Sequence, residues 1–480
     1  MTREELNTLE ADALIAAIKE AKPETDYEEG QKQYDPSLHD VKSITHRPDK
    51  LVKKPTDKLD DAGQPIVKTE LVPVAKIAIP LQKYIIEQKA TFAVGNKITF
   101  KPDVQESPVY EAAWETWRKS KMQYSLLDIA EKMMAETEVA LIWYSQKDEK
   151  AKGGVKLRHR VISPSSGDSL YPVFDRYNDL IAFGRGYEVD DVEYFDLYTS
   201  VELRRFRSVE GKMQEYFTTL SKDEQGNEIG IMEQLPYGKL PVIYWRQPTG
   251  KPECNDVKDL IRAREFNQSD FFDNNQYYAD PILFLKGTAV NMPNKGTAGK
   301  VLQGSDDADG KFLSPGDYTA ARKLEFDMLD QAIFTLTRSA KLDAESMKGL
   351  GDLSAAAMDR MLISPHMAAR RMQFGEFGKG VQRCMNFLLA AYSEILSVRD
   401  GVEAEPQFSL FRIDDAAERI EIAMKANGNK PVIDQEESIR MAGLSDYPDE
   451  AYKKIREENK EKIQTNQGNQ PPVVPNNQEK

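Results

Sequence analysis

The sequence predicts an α+β fold, mainly helical, built from several modules along one chain. Its 480 residues correspond to about three units at roughly 150 residues per domain. Apolar residues recur at helical spacing in long stretches near both ends of the chain. Between about residue 155 and 246, short alternating apolar runs are instead separated by turn residues, which is typical of strands. Helices segregated from a β-rich segment define the α+β class.

The composition excludes both a disordered chain and a membrane-embedded one. Hydrophobic residues make up 40% and charged residues 30% of the chain, as in ordinary folded proteins. The longest uninterrupted apolar runs are Val139–Tyr144 and Phe387–Tyr392, whereas a spanning helix needs about 20 apolar residues. The first residues contain no apolar signal-peptide core, so we expect neither secretion nor a membrane partner.

The charge and the reactive residues argue against common kinds of functional site. The net charge is −14, whereas proteins that clamp nucleic-acid phosphates are usually basic; a partner that must slide remains possible. Cys254 and Cys384 are the only 2 cysteines and the 4 histidines are scattered, so neither a disulfide framework nor a zinc site is predicted. We therefore expect no metal, no cofactor and little catalytic chemistry.

The first third of the chain is predicted to contain helices before and after an extended arm. Residues 3–21 have helical apolar spacing and end before Pro23, and residues 22–72 are polar and proline-bearing, which favours an extended arm. Order is predicted to resume at Val74, in a helix carrying Ile77 and Leu81 that ends near Gly95. A second helical stretch covers about 109–136, before a buried strand.

The β-rich segment at 155–246 is followed by a helix from about 256 to 279, on the order of 35 Å long at 1.5 Å per residue. A strand at 281–285 opens a Gly-, Asp- and Asn-rich segment that reaches residue 317. Another helix covers about 318–338, and a glycine-bearing loop with a freely adjustable backbone follows at 339–353.

The last part is predicted to be helical. The stretch 354–398 has the longest helical pattern, and Pro365 within it should kink the helix because proline removes a backbone hydrogen bond. Three short helices follow between 412 and 462. The tail 464–480 is rich in Asn, Gln and Pro, which predicts disorder.

Three motifs suggest chemistry, and each is explained better by local structure. The run 296–301 resembles a phosphate loop but has Asn294 and Val301 where Gly and Ser or Thr are needed, which favours a turn. The run 305–310 resembles the start of a calcium loop, but its twelfth position is Gly316, which favours an acidic turn. His159, with nearby serines and Asp168, lacks the nucleophile elbow of a hydrolase.

A series of short segments in order carries a family resemblance. The segments are Tyr27–Gly30, Ala90–Ile98, Arg160–Pro164, Tyr171–Asp175, Gly238–Ile243 and Tyr278–Gly287. Together they resemble the portal proteins of tailed bacteriophages, of the siphophage type, from about residue 27 to 462.

The resemblance implies a portal fold with a β-rich wing, a helical stem, a small α/β clip, a long kinked helix and a helical crown. It divides the chain as follows: N-terminal helix and extended arm 1–72, wing 73–254, stem helix 255–279, clip 280–317, returning stem helix 318–338, tunnel loop 339–353, long kinked wing helix 354–400, crown 401–463 and disordered tail 464–480.

The resemblance also implies a function. Portals form a homo-oligomeric ring of twelve subunits at one vertex of the capsid, and double-stranded DNA passes through the central channel during packaging and ejection. The implied partners are the large terminase subunit, which supplies ATP hydrolysis, a head-completion adaptor, and the major capsid or scaffolding protein. The protein would be non-enzymatic, assembled in the host bacterial cytoplasm and located in the virion.

Two groups of residues follow from this resemblance. Residues of the tunnel loop could contact DNA transiently, although the lysines of this loop could equally be solvated loop residues. The group is Lys341, Met347, Lys348, Gly349, Leu350 and Gly351. Residues of the clip could form a docking surface for other ring proteins; they are Lys286, Lys295, Lys300, Asp306, Asp307 and Asp309.

Two alternatives remain open. The first is a nucleotide- or DNA-processing enzyme with a degenerate phosphate loop around Lys300. The second is another ring or adaptor protein of the virion, although such proteins are usually shorter and lack paired stem helices around a β-containing clip.

Overall fold

The computed structural model of the protein combines long helices with several separate antiparallel sheets, which confirms the α+β class. No helix among its described residues is long and apolar enough to cross a membrane. The structure describes residues 3–59, 63, 65–104, 106–151, 154–222, 228–231, 233–279, 282–286, 289–291, 303–304, 309–313, 319–342, 362–409, 416–428, 433–445 and 447–468.

The helices lie mainly before residue 136 and after residue 258. In chain order they are α1 Arg3–Thr8, α2 Ala11–Glu20, α3 Tyr27–Tyr34, α4 Leu81–Val94, α5 Pro108–Lys119, α6 Met122–Glu136, α7 Lys258–Ala279, α8 Thr319–Thr337, α9 Ile363–Gln373, α10 Glu376–Leu396, α11 Ala416–Ala426, α12 Gln435–Ala442 and α13 Pro448–Gly468.

The strands form small sheets in which every pair is antiparallel. They are β1 Lys50–Leu59, β2 Pro65–Val72, β3 Thr99–Pro102, β4 Glu138–Lys147, β5 Val155–Ile162, β6 Ser169–Phe174, β7 Leu180–Val189, β8 Val192–Tyr198, β9 Glu202–Val209, β10 Lys212–Glu215, β11 Thr219–Lys222, β12 Glu228–Ile231, β13 Glu233–Gln234, β14 Val242–Arg246, β15 Ile282–Lys286, β16 Ala289–Asn291, β17 Gln303–Gly304, β18 Asp309–Leu313 and β19 Ala404–Gln407.

The strands of the predicted β-rich segment belong to three sheets. The first has the strand order β10-β9-β8-β7-β6, with β13 on β9, the second has the order β14-β4-β5, and the third is the pair β11-β12. Helix α2 buries Leu14, Ile15 and Ile18 against the first sheet, because its apolar residues recur at helical spacing on one face. The N-terminal helix was therefore predicted correctly, although it is divided into α1 and α2.

The main core lies between the second sheet and helices α4, α5, α6, α9 and α10. Trp143 of β4 and Trp245 of β14 are almost fully buried there. The indole nitrogen of Trp245 donates a hydrogen bond to the carbonyl oxygen of Phe377, at 3.1 Å. Buried aromatic side chains with a satisfied polar tip contribute strongly to such a core.

The prediction of an extended arm over 22–72 is partly wrong. Helix α3 lies in this segment, and its Gly30 packs so closely on α6 that an added Cβ would lie 2.1 Å from the carbonyl oxygen of Ala135. Val41 is fully buried, and β1 and β2 form a hairpin. The polar residue Gln33 is also buried here, and its side-chain nitrogen donates to Glu29 Oε1 at 2.8 Å; hydropathy alone does not reveal such residues.

Helix α4 begins later than predicted. It starts at Leu81, after Pro80, and residues 73–80 carry no helix or strand, so Ile77 lies outside the helix. The predicted stretch 109–136 is likewise two helices, α5 and α6, separated at Lys121, whose backbone is left-handed at φ 58°. A left-handed non-glycine residue cannot continue an α-helix.

Within the described residues, no kink falls at Pro365. Pro365 lies in the first turn of α9, which begins at Ile363. Proline is tolerated in a first turn, because the N–H that it lacks would have no partner within the helix. The break in the helical stretch instead falls at Phe374 and Gly375, between α9 and α10. Residues 354–361 of the predicted long helix lie outside the described residues.

The end of the chain contains three helices in the order predicted. They are α11, α12 and α13, and Gly443 ends α12 in the left-handed conformation. Helix α13 extends to Gly468, so the predicted boundary of the disordered tail at 464 is too early. Residues 469–480 lie outside the described part of the chain.

Candidate functional site

Helices α7 and α8 form an antiparallel pair that is held together by ion pairs and aromatic contacts between the two helices. Arg264 is the central residue: its Nε lies 3.0 Å from Oδ1 of Asp330, and its guanidinium lies 4.1 Å from the ring centroid of Phe326. Phe271 contacts Phe326 edge to face, with centroids 6.1 Å apart. Since both the charge and the ring of α8 engage one side chain of α7, the pair is fixed in register.

The end of α8 is tied to α4. Arg338 ends α8 in a left-handed conformation, φ 56°, and Gln88 of α4 exchanges two hydrogen bonds with the backbone of Ala340. The Gln88 side-chain nitrogen donates to the Ala340 carbonyl at 2.8 Å, and the Ala340 N–H donates to Gln88 Oε1 at 2.7 Å. The loop predicted at 339–353 therefore leaves the helix pair from an anchored start.

An extended segment crosses the face of α7 that lies away from α8. The N–H groups of Ala75, Ile77 and Ile79 donate to side chains of Asp273, Ser269 and Glu265, at 2.8, 3.0 and 2.7 Å. Two extended residues span about 6.6 Å and four helical residues about 6 Å. Side chains at every fourth position of α7 therefore match alternate N–H groups of the segment, which explains why it stays extended.

We call the contacts that His39, Arg47 and residues 75–79 make with α7 the clasp. His39 is buried within it. Its Nδ1 lies 2.6 Å from Glu265 Oε1, and its Nε2 lies 3.1 Å from the carbonyl oxygen of Gln33. Both neighbours are acceptors, so both ring nitrogens donate only when the ring is protonated. Burial opposes the charged form, but the Glu265 carboxylate and the Gln33 carbonyl outweigh it and raise the pKa of His39 above its usual value.

Arg47 closes the clasp at the other end. Its side chain is 8% exposed, and it contacts two carboxylates of α7: Nη1 lies 2.9 Å from Oδ1 of Asp270 and Nη2 lies 2.8 Å from Oδ2 of Asp273. Its Nε donates to the carbonyl oxygen of Ala75 at 2.6 Å. Such multiple charge-assisted hydrogen bonds fix orientation as well as position.

The tunnel-loop residues fall mostly outside the described part of the chain. Met347, Lys348, Gly349, Leu350 and Gly351 are in this group. Lys341 is described, and its Nζ lies 3.3 Å from Oδ2 of Asp330. Asp330 thus binds Arg264 and Lys341 together, an arrangement that no sequence pattern indicates.

Two of the predicted docking residues are described. Lys286 and Asp309 are exposed and lie directly opposite each other in the β15–β18 pair. The other four, together with the phosphate-loop-like run, lie outside the described residues: they are Lys295, Lys300, Asp306 and Asp307. The structure does not bring Lys286 or Asp309 to the clasp on α7.

The structure separates the residues of the rejected hydrolase triad. His159 Nε2 lies 2.8 Å from Ser125 Oγ, whereas Asp168 binds the guanidinium of Arg185, at 2.6 Å. Burial raises the pKa of the Cys254 thiol to about 12. Within the described residues, no group of His, Cys, Asp and Glu could hold a metal ion.

Comparison with known proteins gives one family and two solved structures. The family model described as phage portal protein, SPP1 Gp6-like, matches residues 54–465. A chain from the neck of an empty GTA particle, computed with C6 symmetry, has TM-score 0.38 and 11% identity, covering 76% of this chain and 89% of that one. A chain from the neck of a native GTA particle, computed with C12 symmetry, has TM-score 0.36 and 11% identity, covering 76% and 88%. No curated protein matches the chain.

The family match defines the class of this protein. The match covers most of the chain, including helices α7 and α8 and the main core. The protein therefore belongs to the class of structural portal proteins of phage particles. Within that class, the chain belongs to the SPP1 Gp6-like family of phage portal proteins.

Proposed function

We propose that the protein assembles into a ring, of twelve subunits, at one vertex of the capsid, and that double-stranded DNA passes through the ring during packaging and ejection. The observation that carries this proposal is the cross-linked pair α7–α8, clasped by the arm on its far face. A helix of 22 residues is about 33 Å long, so a ring of such pairs would make a long channel with stiff walls.

The charge of the helix pair suits DNA in transit. A channel that neutralised many phosphates would release counterions and hold the DNA in place. Along the pair, Arg264 and Lys341 both bind Asp330, and Arg47 is enclosed by Asp270 and Asp273. Since carboxylates of the same chain already compensate these cations, they would add little to DNA retention.

The finer assignments extend this proposal. Residues 280–317 would be the clip, which docks the head-completion adaptor and the terminase large subunit through the six predicted residues that include Lys286 and Asp309. Residues 73–254 would be the wing, next to the major capsid or scaffolding protein, and residues 401–463 would be the crown. The loop after the anchored Ala340 would be the tunnel loop, where Lys348 could touch DNA.

The protein would have no enzymatic activity of its own. The separation of His159 from Asp168 supports this, as does the buried state of both cysteines. Purified protein should therefore hydrolyse no ATP, and Lys300→Ala should change nothing in that assay. An ATPase or nuclease activity that Lys300→Ala abolishes would favour the enzyme alternative instead.

Electron microscopy of the purified full chain tests the ring. We expect closed rings with a central hole wide enough for duplex DNA, and native mass spectrometry should give twelve copies per ring. A preparation that stays monomeric at high concentration, also with the adaptor or scaffolding protein added, would refute the proposal.

A further inference from the structure

The β1–β2 hairpin presents an apolar face to solvent. Leu51 lies opposite Leu71, and Val67 precedes Leu71 by four residues on β2, so these three side chains share one face, on which Lys53 and Thr69 also lie. Leu51, Leu71 and Val67 are 72%, 58% and 54% exposed. A two-stranded hairpin is marginally stable alone in water, and an exposed apolar patch usually marks an interaction surface.

The hairpin is rooted at a defined level of α7. Arg47, three residues before β1, binds Asp270 and Asp273. After β2, the Val74 N–H donates to Asp49 Oδ1 at 3.3 Å, and the Ala75 N–H donates to Asp273. Both ends of the hairpin are therefore held beside the last two turns of α7.

A second exposed patch lies on the opposite flank of the subunit. Leu324 and Met328 of α8 are 61% and 62% exposed. They belong to a stripe without charges whose members are three or four residues apart and are all exposed: Ala321, Leu324, Met328, Gln331 and Thr335. This spacing is that of a helix-packing seam.

The order of elements across the subunit follows from helix geometry. At about 100° per residue, the residues of α7 that face the arm lie roughly opposite those that face α8. On α8, the stripe likewise lies roughly opposite Phe326 and Asp330, which contact α7. The hairpin root, α7, α8 and the stripe therefore follow one another from flank to flank.

The two patches also match in level and in charge. Phe271, beside the root, contacts Phe326, which is level with Leu324 and Met328. If the helix pair is parallel to the ring axis, rotation from one subunit to the next keeps each residue at the same height along that axis, so the hairpin root of one subunit stands level with the stripe of the next. The two strands carry five lysines against two acidic residues, a net charge of +3, whereas α8, which bears the stripe, carries three acidic residues against two basic ones. The hairpin and this helix therefore have net charges of opposite sign.

We propose that the hairpin of one subunit packs its apolar face, Leu51, Val67 and Leu71, on the Leu324–Met328 stripe of the next subunit. A closed ring needs two different patches on each subunit, because each subunit is both donor and acceptor of a head-to-tail contact. This inference rests on the proposed ring function and assigns its interface to particular residues.

Cross-linking tests the contact directly. Cys254 and Cys384 are buried, so Leu51→Cys and Met328→Cys introduce accessible thiols. With a short bismaleimide, the protein carrying both changes should give a ladder of covalent oligomers, whereas each single variant should give none. The matched control is Tyr177→Cys with Met328→Cys, because Tyr177 is 70% exposed in the turn between β6 and β7; it should give no ladder.

Charge introduction tests the same contact by assembly. Leu51→Glu with Leu71→Glu should reduce rings more than about tenfold at equal concentration, with circular dichroism unchanged because both side chains are exposed; Tyr177→Glu should assemble normally. Normal rings from the double variant, without the cross-link ladder, would overturn this contact and leave the ring function intact. Wild-type protein that forms no rings would refute both. A third outcome would also overturn the contact: the variant with both Lys53→Glu and Lys68→Glu forms normal rings, but these rings retain DNA less well. That result would show that the hairpin faces DNA.

Discussion

The buried carboxylate of Glu265 should control the attachment of the arm to α7. It is 2% exposed and accepts hydrogen bonds from His39 and from the Ile79 N–H. Glu265→Gln keeps the size of the side chain but leaves the imidazolium of His39 without its counter-charge. Removing one partner of a buried ion pair costs about 3–5 kcal/mol. Since the amide oxygen can still accept one hydrogen bond, we expect the lower value, about 3 kcal/mol.

Hydrogen exchange of the Ile77 and Ile79 amides measures this loss locally, because a chain of several modules need not unfold in two states. A loss of about 3 kcal/mol corresponds to roughly a hundredfold faster exchange. Glu325→Gln is the matched control: Glu325 is an exposed residue of α8 that accepts one hydrogen bond, from Asn267, and its loss should change exchange by less than about tenfold.

The same amides should respond to pH in a defined direction. Because the pKa of His39 is raised in the folded protein, the charged clasp contributes its full stability below the unfolded value of about 6.5. That contribution is lost as the pH rises through the folded pKa. Wild-type protection factors at residues 77 and 79 should fall over this window, and those of Glu265→Gln should change less. Equal protection of wild type and Glu265→Gln at pH 6 would refute the reasoning.

Three further substitutions test other parts of the structure. Gly30→Ala places a Cβ 2.1 Å from the Ala135 carbonyl oxygen and should destabilise the fold by about 1–3 kcal/mol; an unchanged melting temperature would contradict the close packing. Gln88→Leu removes the partner of the Ala340 N–H and leaves the Ala340 carbonyl with only the Tyr84 hydroxyl, at 3.4 Å, a loss of about 2 kcal/mol. Limited proteolysis of the following loop should therefore accelerate, and equal cleavage rates would argue against the anchor. Pro365→Ala should leave the bend between α9 and α10 unchanged in a crystal structure of the variant, since the break lies elsewhere; straightening into one helix would restore the kink hypothesis.

The sequence predicted elements best where one physical rule decides them. Apolar periodicity located the N-terminal helix, and alternation located the β-rich segment, because burial of one face shows directly in these patterns. The ordered resemblance to phage portals was confirmed by the family match over residues 54–465.

The clasp could not be predicted, since its partners are distant in sequence. His39 and Glu265 are separated by 226 residues. Nothing in the sequence around Arg47 indicates that Asp270 and Asp273 are its partners. Pro365 fits the first turn of α9, where proline is tolerated, and the sequence did not reveal that α9 begins at Ile363.

Cryo-electron microscopy of the purified full chain tests the central claim most directly. The account predicts a closed ring of twelve subunits in which the α7–α8 pairs surround a channel wide enough for duplex DNA. Monomers under all assembly conditions would contradict it, and so would a ring whose α7–α8 pairs lie on the outer rim, away from the channel.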